Sequence, residues 1–62
     1  MKFEISELGN RIIVKTIKEN GFKKITPLEY EKAIKTIINL QNGGFEVIIE
    51  ENIKDYRIKC LM

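Results

Sequence analysis

The sequence predicts an α+β domain in which one helix covers one face of a mostly antiparallel sheet. Three observations support this: an apolar stripe with helical spacing between residues 25 and 44, segments of alternating hydrophobicity on both sides of it, and turn-forming residues between the segments. The predicted element order is β-hairpin, helix, β-hairpin (ββαββ), in a single domain spanning residues 1–62. If all neighbouring strands are antiparallel, the strand order is 2-1-3-4 or 1-2-4-3, and a central parallel pair is the alternative.

The first hairpin is predicted from two alternating segments, residues 2–8 (KFEISEL) and 11–18 (RIIVKTIK). Gly9-Asn10 between them is typical of a two-residue type II′ turn, in which glycine takes the first central position. A loop of this length fixes the register of the two strands. The predicted partners across the hairpin are Ile5 with Val14, Phe3 with Thr16, Glu7 with Ile12, and Glu4 with Lys15.

A second turn signal lies at residues 19–22, where Asn20-Gly21 favours a type I′ turn. This turn would either start a very short strand over residues 22–25 or only redirect the chain toward the helix. We favour the second interpretation.

The helix is predicted to begin within the sequence TPLE. Thr26 is the predicted N-cap, Pro27 occupies the first helical position, and Glu29 completes a capping box. Ile25 and Tyr30 provide the hydrophobic staple that accompanies such a start.

The body of the helix is predicted from its apolar stripe, and its end from two glycines. Asn42-Gly43-Gly44 ends the helix, because glycine accepts the left-handed conformation that a helix C-terminus requires, and we assign this conformation to Gly43. The stripe consists of Tyr30, Ala33, Ile34, Ile37 and Ile38.

A second hairpin is predicted after the helix, from residues 45–50 (FEVIIE) and 56–62 (YRIKCLM), joined by a loop over residues 51–55. Alternation in the two strands points one set of apolar residues toward the core. This inward set is Phe45, Val47, Ile49, Tyr56, Ile58, Cys60 and Met62. The outward charges of the two strands would form cross-strand pairs, with Glu46 and Glu50 opposite Arg57 and Lys59.

The composition argues against an enzyme. The chain has no histidine, which removes the commonest general base, and a single cysteine, Cys60, which we expect to be a buried small hydrophobe. The carboxylates of Glu50, Glu51 and Asp55 lack the spacing of a calcium-binding loop and are typical of a solvated turn. We therefore expect no catalytic residue, no cofactor and no metal site.

The sequence also bears on location. It contains no apolar run approaching the roughly 18 residues of a membrane span, and its start, MKFEIS, lacks the apolar region of a signal peptide. An unpaired cysteine is typical of a reducing compartment. We therefore expect a cytoplasmic protein.

A mismatch of dimensions predicts a contact surface. One helix about 10 Å wide cannot cover four strands spaced about 4.8 Å apart, so part of the inward face would remain open or be covered by another chain. The opposite face also carries more apolar residues than a solvated face needs. The residues assigned to this second interface are Ile13, Ile17, Ile48 and Leu61.

From these features we expect a small non-catalytic binding or regulatory protein that acts through protein–protein contact, as a homodimer or higher oligomer or with another protein. Small chains without motifs are often inhibitors encoded by phages or mobile elements, and this association extends the expectation to that class.

A nucleic-acid-binding regulator is the alternative, with contacts from Lys23, Lys24, Lys32 and Lys35. The net charge of +2 is weak, and we expect nearby glutamates to neutralise several of these lysines. Four aromatic residues that could stack on bases are assigned to the core, namely Phe3, Tyr30, Phe45 and Tyr56. The sequence therefore favours protein contact.

Overall fold

The computed structural model describes residues 1–61 and confirms the predicted fold class: an α+β domain with a mostly antiparallel sheet and one main helix on one face. The sheet has the strand order β3-β2-β1-β4, and only the β1–β4 pair is parallel. Its elements are β1 (Lys2–Leu8), β2 (Arg11–Ile17), β3 (Lys23–Leu28), α1 (Tyr30–Asn42), β4 (Glu46–Ile49) and α2 (Tyr56–Lys59).

The β1–β2 hairpin has the predicted register, with Ile5 opposite Val14 and Glu4 opposite Lys15. Gly9 has a φ of 63°, as the first central position of a type II′ turn requires. The Lys15 ammonium lies 4.0 Å from the Glu4 carboxylate, so the predicted cross-strand charge pair is also present. This part of the fold depends only on local pattern and turn chemistry.

The second turn does start a strand, and the interpretation that it only redirects the chain is wrong. The Lys18 N–H donates to the Phe22 carbonyl, and the Gly21 N–H donates to the Lys18 carbonyl. Only Gly21 has a positive φ, of 88°, so Asn20 cannot occupy a type I′ position. The loop is instead a three-residue connection with glycine at its left-handed position.

The predicted helix start is wrong, because Thr26 and Pro27 belong to β3. A residue before proline is biased toward extended backbone, which suits Thr26 for a strand. Counting from the Lys18–Phe22 pair, Pro27 lies opposite Ile13 at a position without ladder hydrogen bonds. Its missing N–H therefore faces the free edge of the sheet, where proline is tolerated.

Helix α1 consequently begins at Tyr30, with Glu29 as an N-cap whose side chain makes no capping hydrogen bond. The predicted staple is absent as well, since Ile25 lies on β3 and is 61% exposed. The apolar stripe itself is present, and it buries Ala33 and Ile37 against the sheet.

Two glycines end α1 as predicted, but their roles differ from those assigned. Gly43 has an ordinary helical φ of −79°, whereas Gly44 has a φ of 80°. The Phe45 N–H donates to the Leu40 carbonyl, and the Gly44 N–H donates to the Gln41 carbonyl. These two bonds form a Schellman motif, in which the left-handed residue is Gly44.

Gly44→Ala is therefore expected to destabilise the domain by about 1 kcal/mol, because alanine is strained at a positive φ. Asn42→Ala, at an exposed position inside the helix, is the control and should leave the unfolding midpoint unchanged or slightly raised. Chemical denaturation followed by circular dichroism measures both. An equal loss in the two variants would show that the helix end does not depend on Gly44.

The direction of β4 follows from the path of the chain. Three antiparallel strands leave β3 running in the same direction as β1, and α1 carries the chain back along the sheet before β4 begins. Strand β4 therefore runs parallel to β1, with Ile5 opposite Ile49. A parallel neighbour requires such a crossover connection, and the helix supplies it.

The predicted strand over residues 56–62 is wrong over its described part, because α2 occupies Tyr56–Lys59. The Asp55 carboxylate accepts hydrogen bonds from the Arg57 and Ile58 N–H groups, which caps and starts a helix. Of the described residues of this segment that were predicted to point inward, Ile58 is buried, while Tyr56 and Cys60 are exposed. The inward assignment of Met62 lies outside the described residues.

The core lies between the sheet and the segments that cross one of its faces. Ile53 from the loop after β4 and Ile58 from α2 complete the cover that α1 alone could not provide. The inner-face positions left open on β3 include Lys24, which is exposed, and Thr26. The buried set is Phe3, Ile5, Ile12, Val14, Ala33, Ile37, Ile49, Ile53 and Ile58.

Candidate binding face

The sheet face that points away from both helices, which we call the outer face, carries the largest grouping of exposed apolar side chains on the sheet. Alternation along the strands places on it every second residue, out of phase with the buried set. Its apolar members are Leu8 on β1, Ile13 and Ile17 on β2, Ile25 and Pro27 on β3, and Ile48 on β4.

The strand register arranges the outer face in rows that run across the sheet. One row, here the middle row, reads Ile25, Lys15, Glu4, Ile48 from β3 to β4. The adjacent row, here the end row, reads Lys23, Ile17, Lys2, Glu46. The middle row thus has an apolar residue at each edge and the Lys15–Glu4 ion pair at its centre.

Exposure on the outer face is high for aliphatic residues. Ile25 is 61% exposed, Leu8 is 73% exposed and Ile48 is 39% exposed. An antiparallel sheet with one solvated face normally alternates apolar and polar residues, so isoleucines on that face exceed what solvation requires. Exposed apolar side chains interspersed with charges over one face are typical of a contact surface.

A shallow open depression of about 200 Å³ lies at the end-row side of the outer face. Its walls include Met1, Ile17 and the charged side chains of Lys2 and Glu46. The depression is therefore lined by both apolar and charged side chains, as the rest of the face is.

Three of the four residues predicted as an interface lie together on the outer face, and one does not. Ile13 and Ile17 are half-buried on β2, on either side of Lys15, and Ile48 lies on β4. Leu61 follows α2 and packs against the core, since the strand that would have placed it on this face does not exist. The prediction for Leu61 is therefore wrong in its placement.

Sequence reasoning missed Ile25 and Leu8. Ile25 was assigned to the helix staple, and residues 23–28 (KKITPL) do not alternate regularly enough to predict a strand. Leu8 ends the first alternating segment, in phase with its outward residues. For Leu8 the signal was therefore the alternation of the strand itself.

The four lysines proposed for nucleic acid do not form one stripe. Lys23 and Lys24 point to opposite sides of β3, in the rows nearest Lys2. Lys32 lies half a turn after Tyr30 on α1, and the Tyr30 hydroxyl donates to Glu7, near the opposite end of β1 from Lys2. Lys2 and Glu7 are five strand residues apart, a distance of about 17 Å, so Lys32 lies far from Lys23 and Lys24.

The glutamates expected to neutralise these lysines have other partners. Glu29 lies 3.4 Å from Arg11, and Glu31 lies 2.6 Å from Arg57. The predicted pairing of Arg57 and Lys59 with Glu46 and Glu50 across a hairpin is wrong, since α2 replaces the second strand of that hairpin.

The carboxylate of Glu7, on the inner side of β1, joins three segments of the chain. Its side chain accepts a 2.6 Å hydrogen bond from the Lys54 N–H and a 2.7 Å hydrogen bond from the Tyr30 hydroxyl. The hydrogen bond from the Lys54 N–H, followed by the one from the Tyr30 hydroxyl, lowers the pKa of Glu7. The hydrogen bond to Glu7 raises the pKa of Tyr30. Glu7 thus ties the loop after β4 to both the sheet and α1, which is a structural role.

Stability should depend on pH through Glu7. A carboxyl whose folded pKa is lowered contributes stability above its unfolded pKa, and this contribution is lost as the pH falls through the folded pKa. Glu7→Gln is therefore expected to lower the denaturation midpoint at neutral pH, with the deficit shrinking in acid. Glu51→Gln, at an exposed loop position, is the control. A deficit that is the same at neutral and acidic pH would contradict this role for the charge.

A second charged cluster holds α2 in place. Arg57 lies between the carboxylates of Asp55, at 3.2 Å, and Glu31, at 2.6 Å. The side-chain hydrogen bond from Arg57 lowers the pKa of Asp55. The hydrogen bonds of Arg57 to Asp55 and, second in size, to Glu31 raise the pKa of Arg57. These charges are satisfied by one another and by the cap of α2.

Residues 1–61 bring no three side chains of metal-ligating type close enough to hold an ion. Cys60 is exposed at the end of α2, so its predicted burial is wrong. Within the same part of the chain, no helix has the length and hydrophobicity to cross a membrane.

A scan against protein families, a search of curated proteins and a search of solved structures find no match to this chain.

Proposed function

We propose that this chain is a small non-catalytic binding protein that acts by protein–protein contact through its outer face. The observation that carries the proposal is the exposure of Ile25, Ile48 and Leu8 on a face that also holds Ile13 and Ile17. Burying one such side chain is worth about 1.5–3 kcal/mol, so a partner that covers several of them gains substantial affinity.

The arrangement of charge suits a specific contact. Lys15 and Glu4 are partly exposed and already paired at the centre of the face. A partner with complementary charges can satisfy them further, whereas a partner with one sign of charge there is rejected. The outer face thus offers apolar area for affinity and a central ion pair for selectivity.

The test is photo-crosslinking in the cells that produce the protein. A photoreactive amino acid replaces Ile25 on the outer face, and in a control variant it replaces Tyr56 on α2. Tyr56 is 77% exposed and Ile25 is 61% exposed, so crosslinking that follows exposure alone would favour the control.

We expect a discrete protein adduct from position 25 and none from position 56. The adduct can contain a second copy of the chain or another protein, since either satisfies the proposal. No protein adduct from position 25, or the same adducts from both positions, would overturn it.

A further inference from the structure

We infer that the partner of the outer face is a second copy of this chain, related by a two-fold axis that runs parallel to the strands between β1 and β2. This inference rests on the proposed function, because it names the partner of the same face. The evidence for it is the pattern of residues in the two rows that cross the sheet.

Stacking two copies face to face about this axis reverses the strand order between them. Strand β3 of one copy then lies over β4 of the other, and β2 lies over β1. The strands of the two sheets remain aligned apart from their twist, which is the common arrangement of packed sheets. Each row of one copy therefore meets the same row of the other, read backwards.

The middle row is self-complementary under this operation. Ile25 at one edge meets Ile48 of the second copy, so an apolar contact forms at both edges. At the centre, Lys15 meets Glu4 of the second copy. The row Ile25, Lys15, Glu4, Ile48 thus pairs apolar with apolar and positive with negative along its whole length.

The end row is complementary in charge at its two edges. Lys23 on β3 meets Glu46 of the second copy, which pairs opposite charges at both edges. Ile17 meets Lys2, whose aliphatic stem can cover it while the ammonium reaches water. Both rows therefore place compatible side chains opposite each other under the same two-fold axis.

The other axis that keeps the strands aligned runs across them, and the sequence disfavours it. When that axis passes through the middle row, it places Lys15 against Lys15 and Glu4 against Glu4 at the centre of the contact. Like charges facing each other cost several kcal/mol at an interface. With the two middle rows in contact, the charges therefore favour the axis that runs parallel to the strands.

Burial of the central charges is also compatible with this arrangement. Lys15 and Glu4 lie 4.0 Å apart within one copy, so the dimer joins two existing pairs into a cluster of two positive and two negative groups. No charge is left without a partner, which is the condition for burying ion pairs at tolerable cost.

Charge reversal tests the inference in solution. Lys15→Glu and Glu4→Lys are each expected to weaken dimerisation by at least about tenfold, since each places four like charges at the centre. Mixing the two variants should restore a dimer, because each then supplies the charges that the other lacks. Lys35→Glu on α1 is the control and should dimerise like the wild type.

Mass by light scattering gives the result. Wild type and the mixture should show twice 7.3 kDa, and each single variant 7.3 kDa. A monomeric wild type would overturn the inference, and so would a mixture that stays monomeric while circular dichroism shows folded chains. Either result leaves the proposed function standing if the photoreactive residue at position 25 still crosslinks to another protein.

The orientation has its own test, in a Cys60→Ser background. A short bismaleimide should join an Ile25→Cys chain to an Ile48→Cys chain when the two are mixed, because the inferred axis places these positions opposite each other. Ile25→Cys alone would crosslink to itself under the rejected axis. Self-crosslinking at position 25 without the mixed product would overturn the inferred orientation.

Discussion

Ile58→Ala is expected to lower the free energy of unfolding by about 2–5 kcal/mol, the range for truncating a fully buried isoleucine. Ile58 is completely buried although it lies on the four-residue helix α2, close to the end of the chain. It packs into the same core as Ile53 and Ile37. A domain of this size has little stability to spare, so we expect the variant to be partly unfolded at room temperature. Chemical denaturation measures the change.

Two neighbours of Ile58 provide matched controls. Tyr56→Ala and Cys60→Ser alter exposed side chains, so each should shift the unfolding free energy by less than about 0.5 kcal/mol. A strand over residues 56–62 would point all three side chains into the core. Similar losses from all three substitutions would therefore contradict the helix and support the strand.

Replacing both Ile25 and Ile48 with lysine is expected to convert the protein from a dimer to a folded monomer. Full burial of a fully exposed isoleucine contributes about 1.5–3 kcal/mol. Ile25 and Ile48 are 61% and 39% exposed, so together they contribute about that much per copy, and the dimer contains two copies. The substitutions also place lysine opposite lysine at both edges of the middle row, which adds repulsion. Both side chains are exposed within one copy, so the fold should be retained. Light scattering and circular dichroism report the two properties.

Ile38→Lys is the control for this variant. Ile38 and Ile48 are both 39% exposed, but Ile38 lies on α1, away from the outer face. The control should remain dimeric. If Ile38→Lys dissociates the dimer while the outer-face variant does not, the contact lies on the helical side of the domain.

Local pattern was sufficient to predict the β1–β2 hairpin, including its register. The two-residue loop at Gly9-Asn10 leaves one way to pair alternating strands that bury one face. The end of α1 was predicted for a similar reason, since consecutive glycines stop a helix. The residue with the left-handed conformation was assigned wrongly, because it is Gly44 and not Gly43.

The start of α1 could not be read in the same way, because the residues around Thr26 and Pro27 satisfy two rules at once. They fit a capping box, and they also fit an edge strand in which proline faces the free edge. Pairing with β2 over six residues, from Lys23 to Leu28, decides between them. That pairing is a tertiary interaction which the helix signal does not contain.

The C-terminal segment shows the same limit. YRIKCLM alternates like a strand, yet Asp55 before it can accept two backbone N–H groups and start a helix. Tertiary packing decides between them, since from the helical turn Ile58 is buried in the same core as Ile53 and Ile37. The placement of Ile13, Ile17 and Ile48 on one face was robust to these errors, because they lie on strands that were identified correctly. Leu61 was lost with the mistaken strand.

Dimerisation through the outer face is tested most directly by the solvent exposure of the isoleucine methyl groups. This exposure is measured by NMR with a paramagnetic co-solute at rising protein concentration. Ile48 on the outer face and Ile38 on α1 start from the same exposure of 39% within one copy. We predict that Ile48 and Ile25 become protected as the dimer forms, while Ile38 stays accessible. Unchanged accessibility of Ile48 and Ile25 at concentrations where the protein is dimeric would contradict the account.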